Sequence, residues 1–454
     1  LAPGYHKPAA IEFPEVGDEK DRLGGLRPSI AETPCLLPFE GGTLSVAIES
    51  ALIEGYDPST VRPLFPALAD GYAYLDGAAG TQVPQSVIET IANAYRSGLS
   101  NTDGAFPASR RADQIVSECR RAVADLVGGD PAGVVLGPNM TTLTYRLAFT
   151  MAKDWKAGDE VVVSRLDHDA NVRPWIQAAA LAGATVRWAE IDTSTGELPT
   201  AQYRDLVGER TKLVAFTAAS NVLGIRPDVA AITEIVHAAG ALAYVDGVHA
   251  TVHGSVDIRE MGADFYTTSS YKWCGPHIGA LIGDPALLET IHADKLVPAP
   301  DQIPDRFETG TPPFADYAGV TAAVDHLAGL ASPAGESRRS RLISSMTAVE
   351  IYEEDLFSVL LGGLEEMDHV TLYGRAEGRA PTAFFTVAGQ NPWEVAVKLA
   401  ERKINVWSGD NYAWEVTGAL GIRDSGSAVR AGLVHYNDHS DVDRLLEAVA
   451  VLKG

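Results

Sequence analysis

The sequence predicts an α/β fold whose large domain is built on a mostly parallel sheet, with a smaller α+β domain following it. Three observations carry that expectation. Between residues 133 and 268, short apolar runs alternate with helix-period segments, the spacing of parallel strands joined by crossover helices. The run Ala241–Val245 lacks the polar alternation of a half-wetted sheet, as a strand buried on both faces does. The polar residues able to do chemistry follow the ends of those runs, where open α/β sheets place their ligands.

Composition narrows the function classes. At 454 residues the chain can hold two or three domains around a sizeable core. A net charge of -24 argues against nucleic acid or an anionic membrane as partner, because both repel such a surface. No apolar run approaches the roughly 18 residues of a membrane span. Cys35, Cys119 and Cys274 share no metal-ligand spacing and form no disulfide framework, which points to a reducing cytoplasm.

In chain order, residues 1–56 are rich in Pro, Gly and acidic residues and read as an extension, with a short helix possible over Leu44 to Ile53. Residues 57–312 form the expected large domain, whose first part could pack with the small one, and 313–454 the small domain. Helical patterning opens at Pro58 to Leu64 and returns over Val87 to Ser97 and Ala112 to Val127, with Asn101 to Ser109 as a loop between them. The expected strands of the large sheet are Gly133–Leu136, Glu160–Ser164, Thr185–Ala189, Lys212–Thr217, Ala241–Val245 and Asp264–Thr268. Helices are expected between them at Thr142–Ala152, Ala170–Ala182, Thr200–Val207 and Val229–Ala239. Helices at Ala315–Leu330 and Ser337–Leu361 follow, the second carrying Arg338, Arg339 and Arg341, a cluster that reads as a solvated face. The remaining strands fall near Val370–Tyr373, Ala383–Val387, Asn405–Trp407 and Ala428–Val434, with helices at Pro392–Arg402 and Ser440–Leu452.

The chemistry concentrates in Ala241–Gly279. Asp246 ends an apolar strand, where a carboxylate is costly unless it caps a turn or meets a cation. Lys272, one of ten lysines, follows a strand-like run ending in Ser269, Ser270 and Tyr271. A desolvated lysine there suits covalent capture of a carbonyl. Gly137-Pro138-Asn139-Met140-Thr141-Thr142 precedes a helix and offers backbone N–H groups and hydroxyls to a phosphate.

In residue type and spacing this set resembles the class V aminotransferase family of fold type I pyridoxal-phosphate enzymes, and its cysteine desulfurase-like subgroup in particular. The resemblance runs from about residue 57 to 452 and implies pyridoxal 5'-phosphate as cofactor and an amino acid as substrate. It implies that Lys272 forms the Schiff base and that Asp246 holds the ring nitrogen. Asp167-His168-Asp169-Ala170-Asn171 with Pro174-Trp175 resembles the segment whose histidine stacks on the ring. Asn221 matches a position that approaches both the ring hydroxyl and the substrate, and His249 one that donates to the ring oxygen. Asn139, Met140, Thr141, Ser269 and Tyr271 match phosphate-binding positions. Arg306-Phe-Glu-Thr-Gly-Thr311 resembles a motif whose last threonine reaches the phosphate of a neighbouring subunit, so the resemblance implies a homodimer. Arg430 matches the arginine that clamps the substrate carboxylate, a task suited to a bidentate guanidinium.

One departure decides the expected reaction. In Val406-Trp-Ser-Gly-Asp-Asn-Tyr412-Ala, cysteine desulfurases carry arginine in place of Trp407 and the nucleophilic cysteine in place of Tyr412. A phenol holds no persulfide, and Cys274 reads as a buried structural thiol. The expected reaction is therefore β-elimination of a sulfur leaving group with Tyr412 as acid. An aminotransferase, an amino-acid epimerase and a non-catalytic cofactor-binding protein remain the alternatives.

Overall fold

The computed structural model describes residues 56–331 and 337–452, all within one unit of the chain, Ile48–Gly454. The expected extension over 1–56 and its possible helix lie outside the described residues, except for Tyr56. In chain order the strands are β1 (Ala73–Tyr74), β2 (Val134–Gly137), β3 (Glu160–Ser164), β4 (Thr185–Ala189), β5 (Thr211–Thr217), β6 (Leu242–Asp246) and β7 (Phe265–Ser269). They continue with β8 (Gly279–Gly283), β9 (Val370–Tyr373), β10 (Thr382–Val387), β11 (Ile404–Asn405), β12 (Trp407–Gly409) and β13 (Ala428–Gly432).

The large sheet runs β2-β8-β7-β6-β5-β3-β4. Its β4-β3-β5-β6-β7 stretch is parallel, while β8 lies antiparallel to both β7 and β2. Val161, Val162 and Val163 of β3 and Ala243, Tyr244 and Val245 of β6 are fully buried, as strands covered by helices on both faces must be. Strand β8 is an addition to the sequence reading. Its sequence, Gly-Ala-Leu-Ile-Gly, begins and ends on glycine and resembles a turn, yet β2 and β7 pair with it on either side.

The smaller sheet, β12-β13-β10-β9, is antiparallel. Ala383, Phe385, Val429 and Ala431 face one way, into a core shared with Leu356, Leu360, Leu445 and Val449 of the helices Arg338–Glu365 and His439–Ala450. The intervening Phe384 and Ala428 belong to the other core cluster, and Arg430 shares their face by the two-residue period of a strand. Strand β1 pairs in parallel with β11, and Asp76 bridges to Gly432, so residues far apart in the chain meet beside Arg430.

Several boundaries differ from expectation for identifiable reasons. The helix expected from Ala112 begins at Pro107, where proline fits the first turn because its missing N–H would have no intrahelical partner there. The stretches 58–64 and 200–207 are single α turns joined to 3-10 turns rather than full helices. Trp414–Ala419 adds a short helix. Arg338 is not on a solvated face: it is mostly buried and pairs with Glu118, with Asp125 at 3.1 Å and with Asp325 at 2.8 Å. Arg339 pairs with Asp257 at 3.1 Å.

Gly247, next after Asp246, shows how tightly the sheet edge is packed. A Cβ there would fall 1.8 Å from Cζ of the buried Tyr266. Gly247→Ala is therefore expected to destabilise the fold by about 3 kcal/mol, the upper range for overpacking, as read by urea denaturation. A change within error would show that Tyr266 yields freely.

Candidate functional site

The carboxyl ends of the parallel strands, joined by the start of the Met140–Met151 helix, enclose a pocket. Met140, Thr141, His168, Thr217, Ala219 and Asn221 line one part, and Asp246, Val248, His249, Tyr271 and Lys272 the rest. All eleven positions lie at a strand's carboxyl end or within four residues beyond it, where unpaired backbone groups leave room for a ligand.

Asp246 is the last residue of β6 and is 4% exposed. Its Oδ1 accepts the Val248 N–H at 2.9 Å. Burial pushes the carboxyl up to about 6, against the pull of that hydrogen bond and of Lys272. Lys272 closes the 3-10 turn after β7 and donates to the Ala78 carbonyl, with its Nζ 5.3 Å from the Tyr271 ring centroid. Burial lowers its ammonium to about 7, helped by Arg430 and opposed by Asp246. The pocket thus holds an amine that is about half neutral near pH 7, beside an acid that is mostly ionised there.

His168 is held from behind by a buried network that its motif encodes. Asp167 accepts from Ser164 Oγ and from Asn171 Nδ2, the latter at 2.6 Å, and Trp175 Nε1 donates to Asn171 Oδ1 at 3.0 Å. The His168 Nδ1 accepts the Ala170 N–H at 3.0 Å, which assigns the proton to Nε2. Burial, then Lys272 and Arg430, pull the imidazole down to about 3, so it is a neutral flat ring at working pH. Asp167 and Asn171 were legible only as companions of His168, and the network shows what they do.

At the start of the Met140–Met151 helix, Asn139 caps the first turn by accepting from Thr142 N at 2.9 Å. The backbone N–H of Met140 donates to Ser269 Oγ at 3.0 Å. Neither Asn139 nor Ser269 is among the lining residues; both shape the loop from behind. Gly279 permits this arrangement, since a Cβ on it would lie 2.2 Å from the Asn139 carbonyl carbon. Tyr271 stacks on His277 at 4.8 Å and 9°.

His249 is buried and shares a hydrogen bond with Thr382 Oγ1 at 2.9 Å. Burial holds its ring well below the ordinary histidine pKa, and so neutral. Arg430, 4% exposed, donates to the Asn221 carbonyl at 2.9 Å. Burial brings it down to about 10 while Asp76 holds it up. Burial raises Asp76 above the usual carboxylate range, against the pull of Arg430, and its Oδ1 has no partner. The Oδ1 of Asn221 is likewise buried and unpaired. Both are acceptors available beside the pocket.

Tyr412 stands over His168, ring on ring, at 5.4 Å and 22°. Its loop is fixed through the backbone: Asp169 N–H donates to the Tyr412 carbonyl at 2.7 Å, and Asn221 Nδ2 to the Asn411 carbonyl at 2.8 Å. Asn411 and Tyr412 both take positive φ, 51° and 61°. Among the described residues the phenol hydroxyl has no hydrogen-bond partner. Thr311 is exposed and lies outside the lining of this pocket. The sequence reading missed Thr217, Ala219, Val248 and Thr382. They act through backbone position or as partners of other side chains, and their residue types carry no chemical signal.

Trace acetylation of Lys272 in the ligand-free protein with acetic anhydride, corrected for reagent hydrolysis, is expected to reach half its maximal rate near pH 7, because only the neutral amine reacts. An unperturbed lysine would continue to gain rate beyond about pH 10. A half-rise near 10 at Lys272 would contradict the desolvated pocket.

Comparison with known proteins gives a consistent neighbourhood. Residues 73–445 match the family model described as Aminotransferase class-V. The uncharacterized protein MT3887 of Mycobacterium tuberculosis (strain CDC 1551 / Oshkosh) is 40% identical over 398 residues, covering 87% of this chain and 99% of that protein. A probable cysteine desulfurase of Pseudomonas aeruginosa is 33% identical over 410 residues, covering 86% of this chain and 97% of that protein. Among solved structures, the cysteine desulfurase CsdA of Escherichia coli, in its S-sulfonic acid form, superposes with a TM-score of 0.76 at 27% identity, covering 87% of this chain and 98% of that one.

Proposed function

Since the chain belongs to the class V aminotransferase family of pyridoxal-phosphate enzymes and has their fold type I architecture, we propose that it is a carbon-sulfur β-lyase acting on an S-substituted cysteine without persulfide chemistry. The observation that carries the reaction type is Tyr412, which occupies the loop over His168 where the desulfurase nucleophile is expected.

The pocket fits the cofactor on its donor set. Asp246 is a buried carboxyl with no cationic hydrogen-bond partner, and a pyridinium nitrogen would hold it ionised. His168 offers a neutral face to a ring, and Asn221 and His249 offer polar groups to its oxygen. Met140 and Thr141, at a helix start with Tyr271 opposite, suit a phosphate, with Asn139 and Ser269 shaping the loop. Thr311, exposed and away from this pocket, suits a phosphate held by a neighbouring subunit, so a homodimer is part of the proposal.

When bound, pyridoxal phosphate supplies the electron sink that stabilises negative charge at the substrate α-carbon. The protein residues do the rest. Arg430 binds the substrate carboxylate, using N–H groups other than the one given to Asn221. The Lys272 amine, neutral above about pH 7, accepts the α-proton at Nζ. The Tyr412 hydroxyl, which has no hydrogen-bond partner among the described residues, donates a proton to the departing sulfur. With water, the balance is S-substituted cysteine to pyruvate, ammonia and a thiol.

The described thiols offer no substitute for the missing nucleophile. Cys274 is fully buried and faces His435 Nε2 at 3.8 Å rather than the pocket, and burial pushes its thiol up to about 12. Cys119 is buried in the Pro107–Val127 helix with its thiol raised by the same cause. No helix among the described residues is long and apolar enough to cross a membrane. A cytoplasmic location completes the proposal, on the strength of these free thiols.

Incubating the holoenzyme with S-substituted cysteines and assaying products tests the reading. Pyruvate and a thiol in equal amounts are expected, and a keto acid that retains the sulfur substituent would make the enzyme an aminotransferase instead. Tyr412→Phe is expected to lower kcat about 10²-fold with little change in substrate binding. Full turnover would remove the tyrosine from the chemistry. Lys272→Ala should abolish activity, and a variant that kept it would overturn the enzymatic scheme. Gly279→Ala should push the loop at Asn139 outward and lower retention of the cofactor after dialysis about tenfold; unchanged retention would place the phosphate elsewhere.

A further inference from the structure

The mouth of the pocket carries two large aromatic side chains that the chemistry above leaves partly or wholly unused. Trp407 is 51% exposed and Tyr412 is 72% exposed. Large aromatics left in water at a site opening are informative, because their burial is worth more than that of any other side chain.

Their positions tie both to the substrate groups. Trp407 lies on edge strand β12 directly opposite Arg430 on β13, and in an antiparallel pair opposite residues project to the same face. That face also carries Phe384, opposite Arg430 on the other side, which packs in the core beneath. Trp407 is therefore the outermost residue of a row that runs across the substrate arginine. Two residues beyond β12, the loop bends back: Asn411 binds Asn221, whose own carbonyl holds Arg430, and Tyr412 lies on His168. A molecule held by its carboxylate at Arg430, with its side chain directed to Tyr412, has Trp407 and Tyr412 as its outward neighbours.

The charges around this mouth do not compete for a polar tail. Arg173 is bound to Asp169 at 2.7 Å and to Glu415, and Arg165 to Glu415 at 2.7 Å and Glu190 at 2.7 Å. Asp410 turns an oxygen back to the Tyr412 N–H at 2.9 Å. An anionic substituent would meet paired cations and an acid, whereas an apolar one meets two uncovered rings.

The geometry points to an S-substituted cysteine whose sulfur carries a bulky apolar or aromatic group, packed against Trp407 and Tyr412, rather than to free cysteine. This rests on the placement of the substrate carboxylate at Arg430 proposed above. It does not depend on whether the reaction ends in elimination or transamination.

Titrating the visible absorbance of the holoenzyme with S-benzyl-L-cysteine, S-methyl-L-cysteine and L-cysteine reads binding whatever the product. S-benzyl-L-cysteine is expected to bind at least about tenfold tighter than S-methyl-L-cysteine, roughly 1.4 kcal/mol. In Trp407→Ala the ratio of the two affinities should fall toward one, and in Trp407→Phe most of it should return. The ratio is measured within each preparation, so a partly inactive variant still reports it. Equal affinities in the unaltered enzyme, tighter binding of L-cysteine, or a ratio untouched by Trp407→Ala would each overturn the inference. Tight, tryptophan-dependent binding without any pyruvate would leave it standing while sinking the lyase reading.

Discussion

The structure depends on keeping an acid and an amine dry and apart at the ends of two adjacent strands. Asp246 and Lys272 both lie in a region from which water is excluded, and each shifts the other toward its charged form without the two meeting in a hydrogen bond. Two isolated charges in such a place would be costly, and the chain meets the cost by lowering the amine and raising the acid. Everything around them serves that state. Gly247 lets β6 and the Tyr266 ring approach closely, Ala78 gives the amine a carbonyl to donate to, and β8 seals the edge beyond β7.

The second sheet brings a cation to this arrangement. Arg430 is carried by a strand whose other face is a wholly apolar core, so the guanidinium has a rigid support and a single direction in which to project. Asp76 comes to it from the opposite end of the chain through β1, and Asn221 from the large sheet. Three remote segments thus meet at one cation. The loop from Gly409 to Ala413 closes over the same place through hydrogen bonds accepted by two of its own backbone carbonyls, from Asn221 Nδ2 and from the Asp169 N–H, so its side chains can vary while its path stays fixed.

Much of this was legible in the sequence, and what was not has physical causes. Strands β3 and β6 stand out through apolar runs because both faces are covered, and Asp246, His168 and Lys272 stand out because polar residues at such strand ends need a purpose. Strand β8 was hidden because its pairing, not its residues, makes it a strand. Asp167 and Asn171 looked like loop residues because their partners, Ser164 and Trp175, can be matched only in three dimensions. Asp76 and Arg430, over three hundred positions apart, carry no mark of their proximity. The Arg338 cluster misled for the opposite reason: its acidic partners come from two other helices, so the sequence displays the charges without their neutralisation.

The most direct test of this account is borohydride reduction of the holoenzyme followed by peptide mass mapping. The account predicts a pyridoxyl group on the peptide that carries Lys272, in proportion to the cofactor bound. Attachment to another lysine, or bound cofactor with no covalent link to the chain, would contradict it.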